Sequence, residues 1–359
     1  MKQLSYILLM TGLAVLLLSG CGHATRSGHA GGDTLSMRHA RLLTLVEQGS
    51  EVRATVRDPW QQGQILQQFV TSKALRRVVV FTTAHCQLLE DLGLADRIVG
   101  VCDLKYILIP DIHQRVKAGR ITDCGDAMNP DIEKIIDLKP DAIIVSPFEG
   151  SGGFGKLDKL NIPIIQAADY MEPSALGRAE WMRYYGRLFG EARRVDSLFH
   201  VVDSTYQRLK AAAAKLPLGL SVLTERKTGA TWYTPGGAST LGMIIKDAHG
   251  RYAFADDGHA GSLALSYEQI IEKAGDSDVW AFKFNGTRPM SKQDLLREFN
   301  GYTALKAFRT GNIYECNCSV KPYFEETPFR PDYLLREFIL LLHPGVEGMG
   351  TMRYYQPVG

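Results

Sequence analysis

The chain has 359 residues, 45% hydrophobic and 9% aromatic, which describes an ordinary globular protein and excludes a disordered one. Its 41 basic and 39 acidic residues leave a net charge of +2, with no basic block or Lys/Arg-rich stripe, so nucleic acid is not an expected partner. The length suits two lobes or domains.

Taken in chain order, the first feature is Lys2 followed by the apolar run Ile7 to Leu18, then Leu18-Ser19-Gly20-Cys21. The run is too short for a membrane span, and charge, apolar core and small residues in that order form a secretory signal. Leu-Ser-Gly-Cys matches the bacterial lipobox, in which cleavage leaves a cysteine that is then acylated. Residues 1–20 are therefore expected to be a lipoprotein signal peptide and Cys21 the lipidation site. A flexible tether is expected over 21–40. No other stretch is long and apolar enough to span a bilayer, so the membrane is reached through the anchor alone.

Residues 41–46 and 51–57 alternate apolar and polar around Gly49-Ser50, a hairpin signal, and 64–71 adds a third strand. From Arg77 the pattern becomes strand and helix by turns. Val78–Phe81 reads as a strand, Cys86–Leu92 as a helix and Ile98–Val101 as the next strand. A short helix carrying Glu133 follows, then strands at 142–145 and 162–165. Together these make an N-terminal lobe over 41–172. Over 173–216, Trp181, Tyr185, Leu188, Ala192, Val195, Phe199, Val202, Tyr206 and Leu209 recur at the helical period. Such a helix, ~60 Å long if unbroken, would join two lobes, with Gly186 and Gly190 as its weak points. The second lobe, 217–345, repeats the plan: strands at Leu220–Leu223, Thr231–Thr234 and 279–284, with helices at 240–248, around Glu268, near 291–298 and 303–308, and at Asp332–His343. Residues 346–359 are expected to be an unpacked tail.

One pattern recurs 135 residues on, from Glu133 to Glu268. Glu133-Lys-Ile-Ile-Asp137 leads to Asp141-Ala-Ile-Ile-Val145, and Glu268-Gln-Ile-Ile-Glu272 leads to Asp278-Val-Trp-Ala-Phe282. Each is a short helix with adjacent isoleucines buried, then a turn, then an apolar strand, so the chain is α/β and built of two similar lobes. An acidic residue in a first helical turn complements the helix dipole and is common. A matched pair is less ordinary, because it suits a partner that is itself two-fold symmetric.

Beside Cys21 stand Cys86, Cys102, Cys124, Cys316 and Cys318, an odd number that leaves a thiol unpaired. Cys316-Asn-Cys318 has the wrong spacing for a zinc knuckle. The five read as buried apolar residues, with Cys102–Cys124 as a candidate disulfide. Gly150-Ser-Gly152-Gly-Phe-Gly155 matches a dinucleotide fingerprint, yet Ser146–Glu149 separates it from its strand, and the glycines read instead as a loop at a cleft rim. His85, His113 and His259 lack the helical partner spacing of a metal site, and a lone histidine is more often structural. No metal, cofactor or catalytic constellation is called for.

These residues together resemble the periplasmic binding proteins for iron complexes and cobalamin, the substrate-binding components of ABC importers. The resemblance rests on the lipobox, the two Glu-bearing repeats, Leu92-Gly-Leu-Ala-Asp-Arg-Ile-Val-Gly-Val101, Leu138-Lys-Pro-Asp-Ala-Ile-Ile-Val145 and the long central helix. Tyr323–Phe338 through His343-Pro344, Leu176–Trp181 and Trp232–Gly237 resemble versions from Bacteroidetes-like bacteria. It covers roughly 75–345 and implies two Rossmann-like lobes with central sheets, joined by one long α-helix, with the ligand cleft between them. It also implies that Glu133 and Glu268 dock onto arginines of the permease.

By position the resemblance places the cleft at loops 82–86, 102–107, 147–154, 232–239 and 256–262. Tyr233 matches a cleft aromatic of the family, with Trp232, Tyr106 and Phe148 as further ligand contacts. The chain departs from cobalamin binders just upstream of both glutamates, where Asp126-Ala127-Met128 and Gly258–Ser262 replace the usual aromatics. The expected function is that of a non-enzymatic, lipid-anchored periplasmic monomer. It would capture a siderophore–iron complex, haem or cobalamin for an ABC permease and its ATPase. Two rivals stay open: a nucleotide-cofactor oxidoreductase using the glycine loop 150–155, and a chelatase-like or scaffold lipoprotein of the same fold.

Overall fold

A computed structural model describes residues 33–150 and 153–359. Cys21 and the signal peptide expected over 1–20 lie outside the described residues.

The expected hairpin is present: Leu43–Gln48 and Glu51–Arg57 pair antiparallel from Leu43↔Val56 to Gln48↔Glu51. Ile65–Thr71 extends it, and Asp33–Leu35 borders it on the other side. Contrary to a free tether over 21–40, residues 38–42 are pinned. The buried Glu180 carboxylate accepts the backbone N–H groups of Arg38, His39 and Ala40 at 2.7–3.0 Å. Glu172, also buried, accepts those of Arg41 and Leu42. A buried carboxylate must find donors, and here the incoming chain supplies them.

The first lobe holds a five-stranded parallel sheet in the order Ile164–Gln166, Ala142–Val145, Val78–Val80, Ile98–Val101, Thr122–Asp123. Its central strands are near-continuous Val/Ile runs because helices cover both faces. The strand order reverses between Ala142–Val145 and Val78–Val80. In the second lobe the order is Arg251–Tyr252, Ser221–Thr224, Val279–Phe284, Ile313–Asn317, Gln356–Pro357, with only the last antiparallel. There the order reverses between Ser221–Thr224 and Val279–Phe284. A small antiparallel sheet of Lys227–Thr228, Thr231–Pro235 and Ser262–Leu265 is attached to this lobe. Helix Pro110–Lys117 was not anticipated from its polar sequence.

The helical run 173–216 comes as three helices, Ala175–Glu180, Met182–Leu188 and Ala192–Ala213. The first two are separated by Trp181 alone; the second break is at Gly190, whose φ of +79° lets the Glu191 N–H turn back to the Gly186 carbonyl at 2.8 Å. Gly186 is not a weak point but a contact: a Cβ there would lie 2.4 Å from Val195 Cγ1 of the next helix. The linking element is thus Ala192–Ala213, 22 residues and ~33 Å long. It buries a single stripe of Val195, Phe199, Val202 and Tyr206. Its far end is tied to the second lobe, where Tyr206 and Lys210 both reach Asp247 at 2.8 Å.

The C-terminal residues are packed, not a loose tail. Gln356–Pro357 adds to Ile313–Asn317, and Tyr354, Tyr355 and Val358 are buried. Glu337, buried on helix Pro331–Leu342, accepts the backbone N–H groups of Arg353, Tyr354 and Tyr355 at 2.6–2.8 Å. All five described cysteines are free and buried, so the Cys102–Cys124 pair is not formed. Both sit in an apolar cluster at neighbouring strand ends, and burial pushes their thiols up, Cys124 to about 11.

Candidate ligand cleft

Open α/β sheets bind ligands outside the carboxyl ends of their strands, where the strand order reverses. In both lobes that point opens on a cavity. The larger, about 830 Å³, is lined from the first lobe by Thr82, Thr83, Tyr170 and Arg178. Glu225, Arg226, Lys283, Phe284 and Asn285 line it from the second, directly after Ser221–Thr224 and at the end of Val279–Phe284. A smaller one, about 340 Å³, sits at the reversal in the first lobe. It is walled by Phe81, Val145, Met128, Phe148 and Phe154, and Thr82 lines both.

Arg178 is held by the buried Asp169, whose Oδ2 accepts its Nε at 3.0 Å. The other oxygen accepts from Tyr185 at 3.0 Å and meets His85 Nε2 at 3.1 Å. Burial opposes ionisation of Asp169, but His85, Arg178 and Tyr185 outweigh it and hold the carboxyl down at about 2. His85 is therefore a structural support, not a cleft residue. Lys283 pairs with Glu225, and its ammonium stands 5.3 Å from the Tyr323 ring centre. Burial alone would lower the Lys283 ammonium, yet the Glu225 carboxylate raises it above its ordinary value. Glu225 adopts φ +63°, a left-handed conformation unusual for a residue with a Cβ, at the point where the strand turns into the cleft. Arg226 is paired with Glu298. The cleft thus presents three cations, each paired with a carboxylate: Arg178 with Asp169, Lys283 with Glu225 and Arg226 with Glu298.

Strand geometry separates the two expected aromatics of Thr231–Pro235. Neighbouring side chains on a strand point to opposite faces. Tyr233 is 50% exposed and lines the larger cavity. Trp232 points the other way, fully buried against Trp280 and Tyr302 with its Nε1 donating to the Thr224 carbonyl at 3.0 Å, and is off the cavity wall. Phe148 lines the smaller cavity at 48% exposure. Tyr106, 61% exposed on the turn Leu104–Tyr106, lines neither, and Lys105 rests over its ring at 4.8 Å.

Of the expected loops, 82–86, 147–154, 232–239 and 256–262 contribute lining residues, and 102–107 does not. Ala127 and Met128 line the smaller cavity, and Ala260, Gly261 and Ser262 the larger, so both non-aromatic stretches face a cavity. His113 Nε2 donates to the Ile107 carbonyl at 2.6 Å, and His259 bonds Asp257 at the surface. The glycine loop leads into the three-residue turn Leu157–Lys159 instead of the full helix a dinucleotide site needs, and Gly153 and Gly155 border the smaller cavity. The sequence reading missed Arg178, Glu225, Arg226, Lys283 and the 323–328 segment. Their placement depends on strand order, for which no local residue pattern exists.

Glu133 and Glu268 are both exposed and occupy the same helical position, two residues after the caps Asp131 and Ser266. Lys134, adjacent to Glu133, pairs with Asp131 at 3.5 Å. Only one isoleucine of each of these helices is fully buried, Ile135 and Ile270, because seven- and eight-residue helices bury one narrow face.

A family model for periplasmic binding proteins matches residues 78–319. The chain belongs to the periplasmic binding protein family. An uncharacterized lipoprotein of Methanocaldococcus jannaschii is 26% identical over 299 residues, 79% of this chain and 69% of that one. Among solved structures, an ABC-type Fe3+-hydroxamate transport protein of Saccharomonospora viridis superposes with a TM-score of 0.60 at 19% identity, covering 80% of this chain and 97% of its own. A periplasmic haem-binding protein of Pseudomonas aeruginosa gives 0.62 at 16% identity, covering 79% and 98%. At these identities the likeness shows a shared fold.

Proposed function

We propose that this periplasmic binding protein is a lipid-anchored, non-enzymatic substrate-binding component of an ABC importer, capturing an iron complex (siderophore or haem) or cobalamin for its permease. The observation that carries the reading is the cavity of about 830 Å³ built on the strand-order reversal of the second lobe and faced by Thr82, Thr83 and Arg178 of the first. That space suits a ligand larger than a sugar or amino acid. Arg178, Arg226 and Lys283 offer donors for carboxylate or oxygen-rich groups, and Tyr233 a flat apolar face. The Fe3+-hydroxamate and haem proteins that share the fold support the ligand class. The non-aromatic stretches at 126–128 and 258–262 favour an iron complex or haem over cobalamin. Glu133 and Glu268 are assigned to permease docking and Cys21 to lipidation; among the described residues no helix is long and apolar enough to cross a membrane.

Native mass spectrometry after incubation with haem, cobalamin and several ferric siderophores tests the reading. A one-to-one complex with one of them is expected. Retention of a nucleotide, or no complex with any of these ligands, would turn attention to the rival readings.

A further inference from the structure

Cys316 and Cys318 bracket the end of strand Ile313–Asn317, and residues two apart on a strand project to the same side. Their sulfurs lie 3.9 Å apart, the sole thiol–thiol contact among the described residues. A disulfide bond is about 2.05 Å long, so closure asks each sulfur to move by roughly 1 Å, within reach of side-chain rotation. The backbone around them is fixed. Cys316 pairs with Lys283 across the sheet, and the Cys318 N–H donates to the Phe284 carbonyl at 2.8 Å. Between them Asn317 accepts from the Gly286 and Ser319 N–H groups at 3.2 and 3.0 Å and donates to the Gly286 carbonyl at 2.8 Å. The two thiols are therefore held together by the fold and not by chance of loop position.

The pair is also asymmetric. Cys316 is fully buried, while Cys318 keeps 8% exposure at the turn leading to the exposed Val320. Either thiol can donate in the contact between them, and the Cys318 S–H also reaches the Cys316 carbonyl at 3.7 Å. The hydrogen bond between the two thiols, with the Lys283 ammonium nearby, lowers the Cys318 thiol against the pull of burial, while Cys316 is raised. Cys86, Cys102 and Cys124 are all raised by burial. A thiolate next to a second thiol is the arrangement that thiol–disulfide exchange needs.

We propose that Cys316 and Cys318 form a dithiol–disulfide site, oxidised by exchange with a disulfide-bearing oxidant. The Cys318 thiolate attacks one sulfur of that oxidant, breaking its S–S bond and releasing one thiolate. Cys316 then loses its proton and attacks Cys318 sulfur in the mixed disulfide, releasing the second. Two protein thiols are oxidised, one external disulfide is reduced to two thiols, and the two protons pass to the released thiolates. The site stands independently of the ligand reading above.

The test treats the folded full-length protein with one equivalent of 4,4′-dithiodipyridine and maps the chymotryptic peptide Glu315–Tyr323, which contains both cysteines and no others. The expected result is release of two thiopyridones per chain in a fast phase and a peptide lighter by two hydrogens. Cys316→Ser should release one thiopyridone and retain a thiopyridyl adduct on Cys318. Cys318→Ser should slow the fast phase roughly tenfold or more, since the attacking thiolate is gone. The proposal is overturned if the wild-type peptide keeps both thiols, or carries two adducts, while the protein remains folded. That peptide mass decides the matter even where a serine variant fails to fold.

Discussion

Tyr233 and Trp232 are chain neighbours with opposite duties, and substitution separates them. Tyr233 offers its ring to the cleft from a half-exposed position, so Tyr233→Ala should leave the thermal midpoint nearly unchanged and weaken ligand binding roughly tenfold or more. Trp232→Ala opens a cavity between Trp280 and Tyr302 and should cost about 3–5 kcal/mol of stability. Wild-type affinity in Tyr233→Ala would remove that residue from the site. Asp169 carries a second prediction at this scale. Its folded value of about 2 lies below the ordinary ~3.9 for aspartate, so its stabilisation is fully present above that ordinary value and is lost as pH falls through 2. Melting temperature should therefore drop between roughly pH 4 and 2 in the wild type, and the drop should be shallower in Asp169→Asn. Equal slopes would mean that His85 and Arg178 do not stabilise the carboxylate in the folded protein.

At the level of elements, the junction of Met182–Leu188 with Ala192–Ala213 depends on one missing side chain. Gly186→Ala would set a Cβ 2.4 Å from Val195 Cγ1, and such overpacking should cost about 1–3 kcal/mol. Chemical denaturation should show a lower midpoint with an unchanged slope; an unchanged midpoint would show that the two helices do not approach this closely. The hairpin, the central parallel strands and several helices were legible from the sequence because their apolar periods are local, whereas helix Pro110–Lys117 and strand Ile313–Asn317 were not. Val78–Val80 and Ala142–Val145 are unbroken apolar runs, and the stripe Val195, Phe199, Val202, Tyr206 keeps helical spacing. What was not legible depends on distant partners. Nothing near Tyr354 announces that Glu337 will take its N–H, and nothing near Arg38 points to Glu180. Arg178, Arg226 and Lys283 carry no cleft signature either, since only the order of strands brings them to one cavity.

Across the whole molecule, the two lobes are tied at more than the linking helix. Glu325, buried in the second lobe, accepts the Thr83 hydroxyl at 2.9 Å and the Leu108 N–H at 3.1 Å from the first. A helix plus a buried bridge resists hinge bending, so small-angle scattering with and without ligand should differ little. A contraction like that of hinged binding proteins would mean that the Glu325 bridge opens. If the lobes are rigid, Glu133 and Glu268 keep a constant separation, which the proposed docking onto a two-fold permease requires. Each glutamate stands exposed at the second position of its helix, free to meet an arginine through two parallel hydrogen bonds. Either single alanine variant should have a mild effect, because exposed ion pairs contribute little on their own. Reversing both charges replaces attraction with like-charge repulsion at two places and slows encounter. The double variant Glu133→Arg, Glu268→Arg should keep ligand affinity and thermal stability yet lose transport and ligand-stimulated ATPase activity in reconstituted vesicles. Normal transport by that variant would refute the docking assignment, whereas loss of ligand binding would place those helices at the cleft instead.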